Sequence, residues 1–182
     1  MRDTKQEIIH FWFVETEPQL WFQKNDVFDA RIRDRFFITY EMARDGLCQS
    51  WSVDAEGSLA LCLVLDQFPR NLFRGLPQAY ETDEPALLVS KRAVSKGFDQ
   101  VLAPEKRRFL YMPFMHSEAL SDQKRAVELF KGMQDVEPLS YEYALRHMKV
   151  IEQFGRFPHR NAALGRETTP EEQAYLDAGG GF

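Results

Sequence analysis

The stretch that decides the fold is residues 25–46, NDVFDARIRDRFFITYEMARDG. Phe28, Ile32, Phe36 and Tyr40 recur every fourth position, the spacing that lines one face of a helix. Asn25 or Asp26 stands where such a helix needs an N-cap, and Gly46 where it would stop. Asp29 and Arg33 read as an ion pair one turn apart on the outer face. The same period continues outward in both directions. Ile8, Ile9, Trp12 and Phe13 stripe a first helix, and Tyr141, Ala144, Leu145, Met148 and Ile151 stripe a long later one. Thr82 or Asp83 opens another, with Pro85 in its first turn and Gly97 closing it. Pro104 begins a short helix expected to break near Pro113, because an interior proline removes a hydrogen bond. Ser117 or Ser121 starts the next, which carries Val127, Leu129 and Phe130 to Gly132. Thr169-Pro170-Glu171-Glu172 is a capping box with proline at the first helical position. No stretch alternates over a strand's length. The one ambiguous run, Leu59 to Leu65, is apolar all round. It reads as a buried helix reaching Phe68, with a buried strand as its rival.

The composition fits this reading. The 182 residues are 44% hydrophobic and 28% charged, the balance of one globular domain. Fifteen Phe, three Trp and six Tyr imply a thick core, a lined pocket, or both. Links are short, so residues 1–178 are expected to form a single all-α domain of about seven to eight helices. Gly179-Gly180-Gly181-Phe182 is expected to be a flexible tail. A net charge of -5 argues against a nucleic-acid binder. The apolar run is too short to cross a bilayer, and the acidic residues near the N-terminus do not suit a signal peptide. Cys48 and Cys62 lack metal-ligand spacing and read as reduced thiols, so a cytoplasmic protein is expected.

The chemistry gathers in four segments. In the first, Leu65-Asp66-Gln67-Phe68-Pro69-Arg70-Asn71, Asp66 stands near an expected helix C-terminus, where the helix dipole disfavours a carboxylate. It needs a cation, Arg70 or an arginine from farther along, and the result is either a structural pair or part of a site. In the second, Met112-Pro113-Phe114-Met115-His116-Ser117-Glu118, a cap at Ser117 would leave His116 and Glu118 beside a positive helix end suited to anions. Alternatively, His116 packs under the cap. Ser117 and His116 are not read as a catalytic pair, since neighbours at a helix start point apart. In the third, His147 continues a helix face with Tyr143, Val150 and Phe154, as a hydrogen-bonded core residue or a ligand. The fourth, residues 154–166, is the densest: Arg156, Arg160 and Arg166 with His159 and Asn161, and no lysine. Guanidinium forks grip carboxylate or phosphate and tolerate burial, so this excess asks for a buried or bound negative charge, of which Asp66 and Glu118 could supply part and a ligand the rest. The turn Gln67-Phe68-Pro69-Arg70-Asn71 is echoed, one residue longer, in Arg156-Phe157-Pro158-His159-Arg160-Asn161. Each copy follows an apolar helix, which suggests duplicated helical hairpins.

These motifs carry a resemblance. Phe11-Trp12-Phe13, Trp21-Phe22, Leu65 to Asn71, Met112 to Glu118, Phe154 to Asn161 and Leu164-Gly165-Arg166, in this order over nearly the whole chain, resemble the bacterial family designated domain of unknown function 924. The resemblance implies a tetratricopeptide-repeat-like array of antiparallel helices and a cytosolic protein. It supplies no activity and no catalytic residue. Three readings follow. The first is a pocket, catalytic or merely binding, for a small anionic or polar ligand. Arg70, Arg160 and Arg166 would clamp charge, with Asn71, Glu118, His147 and Asn161 around them. His116 or His159 would handle protons, and Asp66 would orient an arginine or a histidine. The second is a helical-repeat groove for a protein or peptide. In the third, the motifs merely lock helix ends together. No cofactor is expected, as there is no nucleotide loop or Rossmann glycine pattern. No metal is expected either, because the four histidines lack ligand spacing. The first reading expects Asp66, Arg70, His116, Glu118, His159, Arg160 and Arg166 in one cluster.

Overall fold

The computed structural model describes residues 4–182, and every regular element there is helical. α1 (Thr4–His10) passes directly into a π-helical turn, Phe11–Glu15. α2 (Asp26–Arg44) opens where Asn25 accepts the Phe28 N–H at 2.9 Å, and the chain leaves it at Gly46, whose φ of 80° suits glycine. α3 (Ala55–Cys62) is capped by Asp54, whose carboxylate accepts the Gly57 N–H at 2.7 Å. A second π-helical turn, Leu63–Gln67, joins α3 to α4 (Phe68–Leu72). The apolar run is therefore helical throughout, and the strand alternative falls. α5 (Asp83–Ser95), α6 (Pro104–His116), α7 (Leu120–Lys131), α8 (Pro138–Phe154) and α9 (Pro170–Asp177) follow. No helix among the described residues is long and apolar enough to cross a membrane.

Several expectations change in detail. The chain does not leave the helix after Phe68. The widened turn ahead of Pro69 lets it continue past a residue that has no N–H to donate. α6 likewise runs through Pro113 instead of breaking there. Phe109, Leu110, Tyr111 and Met112 before it, and Phe114 and Met115 after it, are all buried. Burial of so many large side chains, each worth about 1.5–3 kcal/mol, exceeds the roughly 3 kcal/mol an interior proline costs. Asp29 does not pair with Arg33. It accepts from Asn71 and from the Arg74 fork, while Arg33 donates to the Leu72 carbonyl. On α8, Leu145 is 37% exposed and His147 only 5%. The buried stripe runs Ala144, His147, Val150 and Ile151, with a histidine at a core position.

The chain divides into two compact units, Met1–Arg74 with Gln78–Pro113, and Gly75–Pro77 with Phe114–Phe182. In the first, the Trp12 ring packs on Trp21, Phe28, Phe68 and Phe109 at centroid distances of 5.6–6.3 Å. Both cysteines lie in this unit, buried and free of disulfides. Burial pushes the Cys62 thiol up to about 12, the state of an inert core thiol. In the second unit, α7 packs along α8, and Val150, Ile151 and Phe157 form a small core with Phe154 and Tyr175.

Gly57 tests the α3 start. A Cβ there would lie 1.9 Å from the Trp51 carbonyl oxygen. Alanine gains about 1 kcal/mol over glycine in an open helix, but overpacking costs about 1–3 kcal/mol. Gly57→Ala is therefore expected to lower the urea midpoint. An unchanged or raised midpoint would show that the Trp51 backbone yields.

Candidate functional site

The first Phe-Pro-Arg-Asn copy lies in the first unit, and internal partners occupy its polar groups. Asp66 is sealed from solvent; its carboxylate accepts from Gln67 Nε2 at 2.5 Å and sits 3.3 Å from Arg70 Nη1. Arg70 also donates to the Asp66 carbonyl, and its Nη2 donates to Asp83 at 3.1 Å. Asn71 Nδ2 donates to Asp29 at 2.8 Å, and the Arg74 fork grips the same carboxylate. Asp66 is too deep to meet a ligand, and Arg70 already faces two carboxylates.

The second copy, in the second unit, anchors a larger lattice. α8 ends at Gly155, at φ 68°, and Pro158–Arg160 form a single 3-10 turn. Arg156 donates through Nε and Nη2 to Glu172 at 2.6 and 2.8 Å. Glu172 closes the capping box of α9 and accepts the Asn161 amide at 3.1 Å. The Arg156 fork first, then the Thr169 N–H, holds the Glu172 carboxyl at about 2 against the pull of burial. Glu118 is gripped by Arg166 at 2.8 and 3.0 Å and also accepts the Phe157 N–H at 2.8 Å. Burial alone would raise its pKa, but Arg166 and that N–H outweigh it and leave it below the ordinary value. Arg166 further donates to Asn161 Oδ1 and to the Phe157 carbonyl. Glu118 is thus spent on this lattice and not on the start of α7. Ser117 accepts the Ala119 N–H and donates to Asp122 instead of capping the helix.

The remaining candidates form a histidine corner in the same unit. His116, at the end of α6, has its ring 6.2 Å from that of His147. His147 stands 5.6 Å from Phe157, which is 5.6 Å from His159. Arg160 donates to the His116 carbonyl at 3.0 Å and lays its guanidinium 4.6 Å from the Phe157 ring centroid. The His147 Nδ1 lies 2.8 Å from the Tyr143 carbonyl. A carbonyl only accepts, so Nδ1 carries the proton and Nε2 keeps its lone pair. Burial first, then His116, Arg160 and His159, lower the His147 pKa to about 3, partly offset by the Tyr143 bond. It is a neutral imidazole with two further imidazoles and the Arg160 guanidinium near it.

The Phe182 ring stacks on His147, with centroids 3.5 Å apart and planes 15° apart. Phe182 does not stand out in the sequence pattern; the Arg146 guanidinium lies 5.6 Å from its ring centroid. The partner role of Glu172 was also out of reach, although its capping box was legible. A separate cleft of about 660 Å³ opens in the first unit beside the first π-helical turn, and none of the sequence-derived candidates lines it. Its walls carry Glu56 and Glu105 against Lys106 and Arg108, with His10, so they exert little net pull on an ion. No group of His, Cys, Asp and Glu among the described residues is arranged to hold a metal.

An all-helical chain with these motif-bearing turns has a match among known families. The model of the family described as bacterial protein of unknown function (DUF924) matches residues 8–180, and the chain belongs to that family. A solved structure, the protein of unknown function ATU0120 from Agrobacterium tumefaciens, is 42% identical and superposes with a TM-score of 0.90. The match covers 96% of this chain and 97% of that one. No curated protein matches.

Two measurements separate lattice from corner. Arg166→Ala leaves Glu118 without its fork; with the two side chains 22% and 29% exposed, the loss should be roughly 2–3 kcal/mol, below that of a fully buried pair. Arg166→Lys should recover only part of it, because an ammonium cannot bridge both oxygens. A loss below about 0.5 kcal/mol would mark the pair as a surface contact. For His147, the unfolded chain takes up a proton near pH 6.5 and the native state only near 3. Stability is therefore complete above pH 6.5 and is lost as pH falls, by about 1.4 kcal/mol per unit. Between pH 8 and pH 5 the parent should lose about 2 kcal/mol more than His147→Gln. Equal slopes in denaturant titrations would place His147 in water.

Proposed function

We propose that this protein binds a small anionic ligand at the histidine corner of its second unit. The observation that supports this is the sign of the charges around His147. The groups that act on it most strongly are His116, Arg160 and His159, all bases, in a place where burial lowers the effective dielectric. An anion seated there would be drawn by the Arg160 guanidinium and by a neighbouring imidazole when it is protonated. The lattice gives the same answer by subtraction. Arg156, Arg166, Arg70 and Arg74 each grip a carboxylate of this chain, so they are structural counter-charges and not ligand clamps. His159, half-exposed at the rim, is placed to exchange a proton with a ligand and with solvent.

The probe is inorganic phosphate, titrated at constant ionic strength while the imidazole signals are followed by NMR. Saturable shifts at His147 and His159 are expected, with affinity weakened about tenfold or more in Arg160→Ala. The same linear drift in both proteins, or in sodium chloride alone, would remove the proposal.

A further inference from the structure

We infer that the seat of the Phe182 ring is itself a binding site for an aryl group bearing an anion, of the aromatic carboxylate class. Residues 179–182 would then act as its built-in competitor. The inference rests on the anion reading above and adds the aryl part of the ligand.

The seat has the geometry of a ring-binding box. His147 supplies a face, stacked at 3.5 Å. Phe157 and His159 stand nearly perpendicular to the occupant, at 88° and 83°, with centroids 6.2 and 5.9 Å away. The Arg146 guanidinium lies 5.6 Å from the ring centroid. A stacked face, two edge-on walls and a cation over the ring are the contacts an aromatic group prefers. Two of the walls, His147 and Phe157, are held by bonds of their own. His147 is fixed on α8 by its bond to the Tyr143 carbonyl. Phe157 is fully buried, with its N–H on Glu118 and its carbonyl on Arg166. A seat built in advance loses little ordering entropy when a new ring enters.

The occupant, in contrast, is weakly tethered. Phe182 remains 47% exposed, and three glycines precede it. Glycine loses the most backbone freedom on ordering, so this strap is costly to hold down. Its course is nevertheless specific. A Cβ at Gly180 would lie 2.4 Å from the Tyr175 carbonyl oxygen and 2.5 Å from the Tyr175 ring. Gly181, at φ 135°, passes with its Cβ position 3.6 Å from the His159 Cβ. Only glycine at 180 lets the strap pass α9 and deliver its ring to the seat. A ring on so short a tether competes at an effective concentration of about millimolar, so a free ligand must outbind it. The guanidinium beside the seat, that of Arg146, favours a ligand that joins a carboxylate to the ring.

The test titrates 3-phenylpropionate into the full chain and into Phe182→Ala, reading binding heats by calorimetry in every variant and the His147 imidazole signals where His147 is present. Phe182→Ala is expected to bind at least tenfold more tightly than the parent. Phe182→Trp, which keeps a competitor ring, should stay within about threefold of the parent. Adding His147→Ala to Phe182→Ala should abolish binding while thermal unfolding still reports a folded protein. Equal affinity in parent and Phe182→Ala, or binding that survives His147→Ala, overturns the inference. Inorganic phosphate is the parallel probe in Phe182→Ala. If phosphate saturates and phenylpropionate does not, the aryl site is wrong and the anion reading stands. If neither saturates, both fall.

Discussion

Glu172 is 2% exposed, and a carboxylate that dry stays ionised only if donors surround it. It has four: Arg156 Nε at 2.6 Å, Arg156 Nη2 at 2.8 Å, the Thr169 N–H at 2.8 Å and Asn161 Nδ2 at 3.1 Å. These come from the end of α8, from the turn after it and from the first turn of α9. Satisfying one charge therefore fixes three segments together. The Arg166–Glu118 fork grips the same turn from its other side, through the Phe157 N–H and carbonyl. A turn held by two ion forks has little freedom left, and it carries Phe157, His159 and Arg160 into the histidine corner. The lattice contributes less by raising stability than by making one geometry the only one in which every buried charge is paired.

The two Phe-Pro copies apply one chemical solution on different backbones. In each, an asparagine amide and an arginine fork meet on a single carboxylate: Asn71 and Arg74 on Asp29, and Asn161 and Arg156 on Glu172. One copy continues a helix through a π-turn, whereas the other follows a glycine that ends the helix. The sequence echo thus reflects shared donor chemistry at sites of different local shape. It does not by itself mark two equivalent hairpin ends.

This explains what could be read before the fold was known. Helix positions, the Asn25 cap and the Thr169 box depend on neighbours within a turn, and period and capping rules reach that far. The donors of the lattice were visible too, as an arginine excess with no lysine. Of the acceptors, Glu118 was legible as a possible counter-charge, but not which arginine it meets, since Arg166 and Glu118 lie 48 residues apart and Asn71 and Asp29 lie 42 apart. Asp29 was assigned to Arg33 because a helical neighbour is the default partner in sequence. The π-turns left no signal in the apolar period. His147 was legible as a hydrogen-bonded core residue, with a ligand role as the alternative. A histidine scores as polar in any stripe, yet its neutral ring, bonded to the carbonyl one turn back, fills a core position as well as a leucine would. Phe182 was passed over because three preceding glycines read as a frayed end, and contacts made by the last side chain do not enter local propensity.

The distribution of partners also says where function belongs. A chain of net charge -5 that concentrates arginine does so for one of two reasons: to neutralise its own buried acids, or to hold an acid from outside. Geometry separates the two, because a guanidinium with both arms on an internal carboxylate has no fork left to offer. Arg156 and Arg166 are of that first kind. Arg160 differs from them in that its Nη2 donates to a backbone carbonyl, His116 O, while its charge acts on His147. The charge of Arg160 acts both on Glu118, whose pKa it helps to lower, and on His147. The same lattice that spends most arginines on carboxylates of this chain also holds Arg160 beside His147, a neutral imidazole whose Nε2 keeps its lone pair.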